Sequence, residues 1–522
     1  MPTPKTSASH PLQIQALSVG QGGGRLGLTL CPGKHQSNAQ SGAWARDLEA
    51  DMAVIAAFGA KALVTLMERE ELDFLRVPPE RLRAAAGMHG IDWYHLPIPD
   101  QGVPGEDFEA AWDYAGLRLR GLLGAGNNVV VHCMGGLGRT GTVAARLLIE
   151  HGVSAEEAIT SVRAARHGTI ENATQEAHVR NYVPTLPAPE ALQRRERAWG
   201  CILGGALGDA FGYEVEFIKL TGIRQRFGPE GLREAVLHDG KLMVSDDTQM
   251  TLFTAEGMFR GLRQGGSSDA ILGAVHRAYL DWYETQRGQQ RKHDPVGELA
   301  LAPELREERA PGITCLNALL SGGMGSPERP VNDSKGCGGV MRVAPLGLLE
   351  GFSEGEIFDM GLRAAAFTHT HPTGYLASGM MSLLVFYLAG GLSPHAAVEA
   401  AMPRLRVWEG QRETRKAVQK AMELASVAGT PPEQDVKALG LGWVAEEALA
   451  IGLYAVLRGG NFREVLAIAA NHDGDSDSTA SIAGQLWGAW RGMEGMPQHW
   501  IQALDVHRPL TRLLSAGLRA HF

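Results

Sequence analysis

The chain has 522 residues, a formal net charge of -9, 44% hydrophobic residues and 20% charged residues. This length exceeds one ordinary core, so two or three domains are expected, and the composition argues against long disordered segments. The acidic balance disfavours a dedicated nucleic-acid-binding surface, and no uninterrupted apolar run approaches the ~18 residues that cross a membrane. Five scattered cysteines without metal-type spacing, and a start without a signal-peptide pattern, predict a cytoplasmic setting.

Helical and strand patterns alternate in the first part of the chain. Residues 1–30 are rich in Gly, Ser and Pro and are predicted to form an irregular lead-in. Apolar residues at helical spacing from Trp44 to Phe58 predict a helix that ends at Gly59. Strands are predicted over Ala62–Leu66, Trp93–Ile98 and Val129–Val131. This alternation predicts an α/β domain with a mainly parallel sheet over residues 31–183.

The composition changes at a proline-rich stretch. Three prolines fall within Val183–Glu190, which predicts a semi-rigid linker over residues 184–195. From residue 196 to residue 522, helical patterns follow one another with hardly any β-rich run, so an all-α domain is predicted. Glycine recurs every fourth residue at Gly204, Gly208 and Gly212, a spacing that lets a neighbouring helix approach closely.

The segment VVVHCMGGLGRTG, residues 129–141, places Cys133 six positions before Arg139, between a strand and a helix. A glycine-rich turn aims successive backbone N–H groups at one anion, and the following helix adds the positive end of its dipole. Arg139 can hold two phosphate oxygens, and the same field favours the thiolate form of Cys133, which attacks phosphorus. Thr140 is placed to hydrogen-bond that thiolate, and His132 to brace the loop. The alternative is a structural cysteine in a glycine-rich turn. The predicted phosphate-binding residues are Met134, Gly135, Gly136, Leu137, Gly138 and Arg139.

A thiol phosphatase also needs an acid that protonates the departing oxygen. The best candidate is Asp100, in the segment PIPDQGVP directly after a predicted strand. An ordinary turn aspartate is the alternative interpretation. Glu106 and Asp107 are rivals, but charges at the start of a helix explain them better.

Residues 25–182 resemble the dual-specificity branch of the protein tyrosine phosphatases, and within it the phosphatases associated with cyclin-dependent kinase inhibitors. The resemblance rests on HCMGGLGRTG, PIPDQGVP and IENATQ, the last at residues 170–175. It implies that Cys133 is a nucleophile that forms a thiophosphate intermediate, that Arg139 clamps the phosphate and that Asp100 is the acid. It also implies a position for Gln175 near the hydrolytic water. No cofactor is expected in this domain.

Carboxylates and hydroxyls are concentrated in SDDTQM, residues 245–250, and NHDGDSDSTA, residues 471–480, each at the start of a predicted helix. Hard oxygen ligands of this kind suit Mg²⁺, Mn²⁺ or Ca²⁺, and two such clusters that face each other can hold two metals. Helix capping without a metal is the alternative. An EF-hand is excluded, because Ser478 and Gly484 stand where glycine and glutamate are needed.

Five motifs in order resemble the ADP-ribosylglycohydrolase family, which includes the dinitrogenase-reductase-activating glycohydrolases. They are the two acidic segments, GDAFGYEVEF at residues 208–217, NDSKGCGGVMR at residues 332–342 and THTHP at residues 368–372. The resemblance covers most of residues 196–515 and implies two divalent metals, Mg²⁺ or Mn²⁺. The implied metal ligands are Ser245, Asp246, Asp247, Asp475, Asp477 and Ser478.

The same resemblance implies further roles. Glu216 matches the acidic residue near the scissile sugar, and Asp246 and Asp247 are expected to share its proton transfers. The glycines of the ADP-ribose loop are Gly336, Gly338 and Gly339. His371 matches the substrate side of the pocket; by themselves, His369 and His371 are better explained as core or cap histidines than as metal ligands. Both hydroxyl ligands are serine where threonine is common, which keeps the oxygen and removes a methyl group.

The sequence therefore predicts a two-domain bifunctional hydrolase, with an α/β cysteine-phosphatase fold followed by an all-α ADP-ribosylglycohydrolase fold. The expected substrates are a phosphorylated compound for the first domain and an ADP-ribosylated protein or small molecule for the second. The alternative is that only one half is catalytic and the other recognises phosphate or ADP-ribose.

Overall fold

The computed structural model describes residues 3–20, 22–39, 41–184, 188–287, 294–427 and 429–521. The chain divides into two compact units, residues 1–188 with 497–502, and residues 189–496 with 503–522. Residues 185–187 of the predicted linker lie outside the described residues, as do residues 1, 2 and 21 of the predicted lead-in and residue 522. The domain bounds 31–183 and 196–522 stay predictions, but the linker predicted over residues 184–195 is wrong for residues 189–195, which form the start of the helix Pro189–Tyr213.

A five-stranded sheet forms the centre of the first unit. The strands of this unit are β1 (Gln15–Ser18), β2 (Arg25–Leu30), β3 (His35–Gln36), β4 (Trp44–Ala45), β5 (Ala60–Thr65), β6 (Asp92–His95) and β7 (Asn128–Cys133). The sheet order is β1-β2-β7-β5-β6, and β3 pairs only with β4. Strands β2, β7, β5 and β6 run parallel and β1 is antiparallel, which confirms the predicted mainly parallel sheet. Parallel pairing brings the carboxyl ends of β6 and β7 to one edge, where the loops that follow them meet.

Helices cover this sheet. They are α1 (Leu48–Ala57), α2 (Arg69–Phe74), α3 (Pro79–Met88), α4 (Glu106–Gly124), α5 (Gly138–Glu150), α6 (Ala155–Ala165) and α7 (Ala173–Arg180). All residues of α5 are buried, because it crosses the sheet directly after β7. This strand–loop–helix unit is the one predicted around Cys133.

Two predictions for the first 60 residues are wrong. The lead-in contains β1 and β2, and β2 is an interior strand between β1 and β7. Leu26 and Leu28 are fully buried, but the interior strand also buries Gly27 and Thr29, so its apolar pattern is interrupted. The predicted helix from Trp44 begins only at Leu48, because Trp44 lies in β4 and the Asp47 side chain caps the helix by accepting from the N–H of Ala50.

The second unit is helical. The helices from residue 189 onward are α8 (Pro189–Tyr213), α9 (Leu220–Phe227), α10 (Asp246–Arg263), α11 (Ser268–Thr285), α12 (Ile313–Leu320), α13 (Glu354–Ala366), α14 (Pro372–Ala389), α15 (Pro394–Arg406), α16 (Arg412–Ser426), α17 (Pro432–Leu439), α18 (Ala445–Arg458), α19 (Phe462–Ala470), α20 (Ser476–Arg491), α21 (Gln498–Ile501), which groups with the first unit, and α22 (His507–His521). Short 3-10 turns lie at Leu299–Leu301, Pro303–Leu305, Cys337–Gly339 and Ala344–Leu348. Helix α14 alone among the described helices has the length and hydropathy of a membrane span, but 78% of it is buried, as in a core helix.

Helices α8 and α20 pack backbone against backbone. A methyl group at Gly204 would lie 2.3 Å from the carbonyl oxygen of Gly484, and at Gly208 it would lie 2.0 Å from that of Ala480. At Gly212 the corresponding distance to the Ser476 oxygen is 2.1 Å. The close helix approach predicted from the glycine spacing is confirmed. It sets the position of the N-terminus of α20, which carries the second acidic segment.

We expect Gly208→Ala to lower the free energy of unfolding of the second unit by about 1–3 kcal/mol, because the added methyl group separates α8 from α20. Gly273→Ala is the matched control, since a Cβ at Gly273 in α11 meets nothing within 4 Å. That control should be neutral or stabilise by up to about 1 kcal/mol. Thermal unfolding of both variants measures the difference, and equal Tm values would contradict the close-packing argument.

Candidate active sites

The cysteine loop lies at the carboxyl edge of the sheet. Cys133 ends β7 and is 4% exposed, and α5 begins five residues later. Gly136 has φ +72°, and a Cβ there would lie 2.2 Å from the carbonyl oxygen of Thr29 in β2. Only glycine fits this position, so the neighbouring strand fixes the course of the loop.

Arg139 is held in place by a carboxylate. Its Nη1 and Nη2 donate to the two oxygens of Glu71 at 2.6 and 2.8 Å, and Nη1 also donates to the carbonyl of Ile98 at 3.0 Å. Burial opposes the charge of Arg139, but the Glu71 hydrogen bonds and the nearby Cys133 raise its pKa overall. The guanidinium therefore stays charged, and its Nε has no acceptor among the described residues.

Asp100 lies beside Arg139, in the loop between β6 and α4. Its Oδ1 is 3.0 Å from Nη2 of Arg139, and its side chain is 61% exposed. The predicted acid is therefore within reach of both solvent and the arginine. Glu106 and Asp107 belong to the first turn of α4, which confirms their interpretation as charges at a helix start.

The predicted supporting residues lie behind the loop. Nε2 of His132 hydrogen-bonds the hydroxyl of Thr65 at 2.7 Å, and burial lowers the pKa of His132 to about 3, so the ring is neutral. The Thr140 hydroxyl is buried and has no partner among the described residues. It makes no hydrogen bond to Cys133 in this structure, so the predicted bond to the thiolate stays a prediction.

One predicted phosphate donor is already engaged. The N–H of Gly138 donates to Glu171 Oε2 at 2.8 Å. The Gln175 side chain accepts from the N–H of Glu171 at 3.0 Å and donates to the carbonyl of Gly102 at 3.2 Å. Gln175 therefore ties the start of α7 to the loop that carries Asp100, beside the cysteine loop.

The two acidic segments both begin helices, as predicted. Ser245 caps α10, where its side chain accepts from the N–H of Asp247. Asp475 caps α20, where its side chain accepts from the N–H of Ser478. The same N–H donates to Asp477 at 2.9 Å. Ser245 and Asp475 therefore act as helix caps, but capping engages only some of the oxygen atoms of the two acidic segments.

The structure gathers a carboxylate cluster at these helix starts. One oxygen each from Glu216, Asp475 and Asp477 lie within 4.8 Å of one another. Burial and the neighbouring carboxylates raise the pKa of Asp246, Asp247 and Asp477 well above the ordinary range. Burial also raises the pKa of Asp475 to about 6 and that of Glu216 to about 9.

A divalent cation fits this donor set. Within the described part of the chain, no arginine or lysine pairs with these carboxylates, and Glu216 Oε2 and Asp247 Oδ2 are buried without any partner. Like charges buried together are costly unless a cation offsets them. All of the groups are hard oxygen donors, which suit Mg²⁺ or Mn²⁺. Ser245 and Ser478 are both buried at the same helix starts, so the six predicted ligands adjoin one region.

Other residues hold the cluster in shape. Asp209 on α8 accepts from the N–H groups of Ser245 and Thr248 at 3.0 Å and from the Thr248 hydroxyl. The thiol of Cys337 donates to Asp475 Oδ2 at 2.8 Å. In the same glycine loop, a Cβ at Gly338 would lie 3.0 Å from the Cys315 sulfur.

The two histidines have structural partners. His371 caps α14, where its Nδ1 accepts from the N–H of Thr373 at 3.1 Å. His369 is buried beside Gly336 and Gly338, and burial lowers its pKa to about 3. A Cβ at Gly339 would lie 2.9 Å from that of Ala365. The glycines thus let the loop pack tightly against the core.

Comparison with known proteins decides the family. The model of the ADP-ribosylglycohydrolase family matches residues 190–521. The chain belongs to the ADP-ribosylglycohydrolase family. It is 25% identical to the ADP-ribosyl-[dinitrogen reductase] glycohydrolase of Rhodospirillum rubrum over 62% of this chain and 96% of that protein. It is also 25% identical to human ADP-ribosylhydrolase ARH3 over 64% of this chain and 95% of that protein.

The N-terminal half belongs to a second family. The model described as "Polymorphic toxin system, DSP-PTPase phosphatase" matches residues 41–153. The chain is 31% identical to cyclin-dependent kinase inhibitor 3 of Rattus norvegicus over 31% of this chain and 74% of that protein. The chain therefore has a dual-specificity-type phosphatase domain N-terminal to its glycohydrolase domain, and both domains belong to hydrolase families.

Four residues at these sites escaped the sequence analysis. Glu71 binds Arg139 from 68 positions away, Glu171 accepts from Gly138, and Asp209 and Cys337 support the glycohydrolase cluster. The last two stand inside motifs of the glycohydrolase family, where their position was a usable signal. Glu171 likewise stands inside the phosphatase segment IENATQ, whereas Glu71 carries no such signal, because only the fold brings it to Arg139.

The cluster predicts an inverse dependence of stability on pH in the metal-free glycohydrolase unit. Asp475 and Glu216 have folded-state pKa values of about 6 and about 9, above their ordinary 3.8 and 4.5. A carboxyl group whose folded-state pKa is raised contributes its full stabilisation below about pH 4. That contribution is lost as the pH rises through about 6 for Asp475 and through about 9 for Glu216. In EDTA, we expect Tm to fall over this range. Added Mg²⁺ or Mn²⁺ should raise Tm more at about pH 8 than at about pH 5, because protons compete for the carboxylates. Scanning calorimetry checks this, and an equal metal effect at both pH values would contradict it.

Proposed function

We propose that the protein is a bifunctional hydrolase that cleaves phosphomonoesters at Cys133 and, with two divalent metals, the glycosidic bond of ADP-ribosylated substrates. The first activity is supported by the buried guanidinium of Arg139 between Cys133 and Asp100. The second is supported by the buried carboxylates around Glu216, which lack a cationic partner among the described residues. Five unpaired cysteines favour the cytoplasm.

In the proposed phosphatase reaction, the Cys133 thiolate attacks phosphorus and forms an S–P bond while the bond to the leaving oxygen breaks. Asp100 gives its proton to that oxygen, and Arg139 with the loop N–H groups holds the other phosphate oxygens. Water then cleaves the S–P bond, releases phosphate and restores the thiolate. The exposed position of Asp100 is consistent with a shallow site that admits several phosphorylated groups.

In the glycohydrolase unit, we assign the metals to the six oxygen ligands named above. When bound, the metals would orient the ribose hydroxyls and activate water. We assign the proton transfer to the departing acceptor atom to Glu216, whose pKa burial and the neighbouring carboxylates raise, and Asp246 and Asp247 share the proton transfers. We place ADP-ribose along Gly336, Gly338 and Gly339, with His371 on the substrate side. The acceptor is an ADP-ribosylated protein or small molecule.

For the phosphatase, Cys133→Ser should lower phosphate release by at least about a thousandfold. Asp100→Asn should lower it by about a hundredfold for an alkyl phosphate and less for an aryl phosphate, whose leaving oxygen needs less protonation. Glu106→Gln, at the exposed start of α4, is the matched control and should leave kcat unchanged. Phosphate release by the full-length variants is the measurement. Turnover that survives Cys133→Ser would refute the assignment and favour a phosphate-recognition module.

For the glycohydrolase, Asp475→Asn should remove bound metal and abolish ADP-ribose release, because it deletes a carboxylate ligand. Asp473→Asn is the matched control in the same loop, since Asp473 is exposed and, among the described residues, accepts a hydrogen bond only from the N–H of Leu220. Glu216→Gln should keep the metal and lose activity. Elemental analysis, with ADP-ribose release from differently linked substrates in Mg²⁺ or Mn²⁺, measures both effects. Wild-type protein that neither binds metal nor releases ADP-ribose would refute this half.

A further inference from the structure

Two cations of the phosphatase unit have no carboxylate partner. Lys34, in the loop after β2, is 4% exposed, and its Nζ donates to the carbonyl oxygen of Met134 at 3.3 Å. Arg166, at the end of α6, donates through Nη2 to the carbonyl oxygen of Gly135 at 2.9 Å. Among the described residues, neither forms an ion pair, and Nε of Arg166 is buried without a partner. Lys34 is thus a buried cation and Arg166 a half-buried one, and both donate to the backbone of the cysteine loop, while Nη1 of Arg166 donates to the Gln15 side chain.

The two carbonyls belong to consecutive peptide units. In a planar trans peptide, the C=O of one residue and the N–H of the next point in opposite directions. A donor that fixes the Met134 oxygen thus directs the Gly135 N–H away from Lys34. A donor on the Gly135 oxygen likewise directs the Gly136 N–H away from Arg166. In the described structure, these two N–H groups donate to no acceptor.

The free N–H groups stand in the loop that follows Cys133, where a phosphate would bind. The other fixed points of the loop agree with this orientation. The N–H of Cys31 also donates to the Met134 oxygen at 3.4 Å, and Gly136 is pressed against Thr29. Both cations also interact electrostatically with Cys133, and such interactions are strong where water is largely excluded.

We propose that Lys34 and Arg166 are positioning residues that clamp the carbonyls of Met134 and Gly135 and so direct the Gly135 and Gly136 N–H groups at the substrate phosphate. The inference deepens the proposed phosphatase function and rests on it. Arg139, by contrast, has its charge offset by Glu71. Lys34 and Arg166 therefore supply positive charge beside the loop that no carboxylate among the described residues offsets.

Phosphate binding tests the clamp without turnover. In full-length Cys133→Ser protein with EDTA, calorimetry measures the affinity for inorganic phosphate. Adding Lys34→Gln or Arg166→Gln should weaken binding about tenfold, because a charge-assisted hydrogen bond to the loop is lost. Lys34→Arg should restore the affinity to within about threefold, since it keeps both the charge and a donor. Lys61→Gln, at an exposed lysine of β5, is the control and should have no effect.

Alkylation of Cys133 gives the second readout. At neutral pH, Lys34→Gln and Arg166→Gln should slow its reaction with iodoacetamide about tenfold, because less thiolate is present. Cys31 is fully buried and reports on folding in the same sample, since a loosened domain would expose it to the reagent. The inference requires that Cys31 stays unmodified while the alkylation rate of Cys133 falls. If Lys34→Gln makes Cys31 reactive, that variant has loosened the domain. The inference is then tested by the alkylation rate of Cys133 in Arg166→Gln and by its recovery in Lys34→Arg.

Phosphate affinity and alkylation rates within twofold of the parent in both Gln variants would overturn the inference. A phosphatase that turns over normally without Lys34 and Arg166 would also overturn it and leave the proposed function intact. Conversely, phosphate binding that depends on Lys34 upholds the clamp even if no phosphomonoester is hydrolysed, and then only the proposed phosphatase activity fails.

Discussion

The glycohydrolase unit is built around buried acidic side chains that lie close together at the proposed metal site. The cluster consists of Glu216, Asp246, Asp247, Asp475 and Asp477, and the supporting Asp209 is buried with them. Their mutual repulsion opposes folding, so the surrounding structure must hold them together. The glycine faces of α8 and α20 do this, because only helices in backbone contact bring Asp209, on α8, close to the acidic start of α20. In the proposed function, a divalent cation would offset the charge that the described residues leave uncompensated.

The phosphatase unit applies the same principle with the opposite sign. Two of its cations donate to carbonyl oxygens of the cysteine loop, and the proposed clamp thereby directs the Gly135 and Gly136 N–H groups at the anion. The carboxylate of Glu71 pairs with Arg139, and this pairing offsets the cost of burying the charged guanidinium in the absence of substrate. Lys34 and Arg166 have no carboxylate partner among the described residues and donate to carbonyl oxygens of the loop instead. The site is thus prepared for an anion before one arrives.

Sequence patterns predicted the features that depend on near neighbours. The strand–loop–helix unit around Cys133, the helix starts at Ser245 and Asp475 and the glycine spacing of α8 all involve residues within a few positions of one another. Failures occurred where a tertiary environment outweighs local pattern. Strand β2 lies between two other strands, so burial on both faces replaced the alternation by which a strand is recognised. Trp44 follows a helical spacing but pairs in β4.

By itself, the sequence determined the chemical groups present and the short segments that carry them: a thiol with an arginine six positions later, and two acidic helix starts. These are encoded by contiguous residues whose backbone geometry is set by local propensity and capping. Only the tertiary structure decided which groups support them. Glu71 reaches Arg139 across 68 positions, and Lys34 reaches Met134 across 100. Such partners are chosen by sheet order and helix packing, which depend on the burial of the whole chain and leave no local signature.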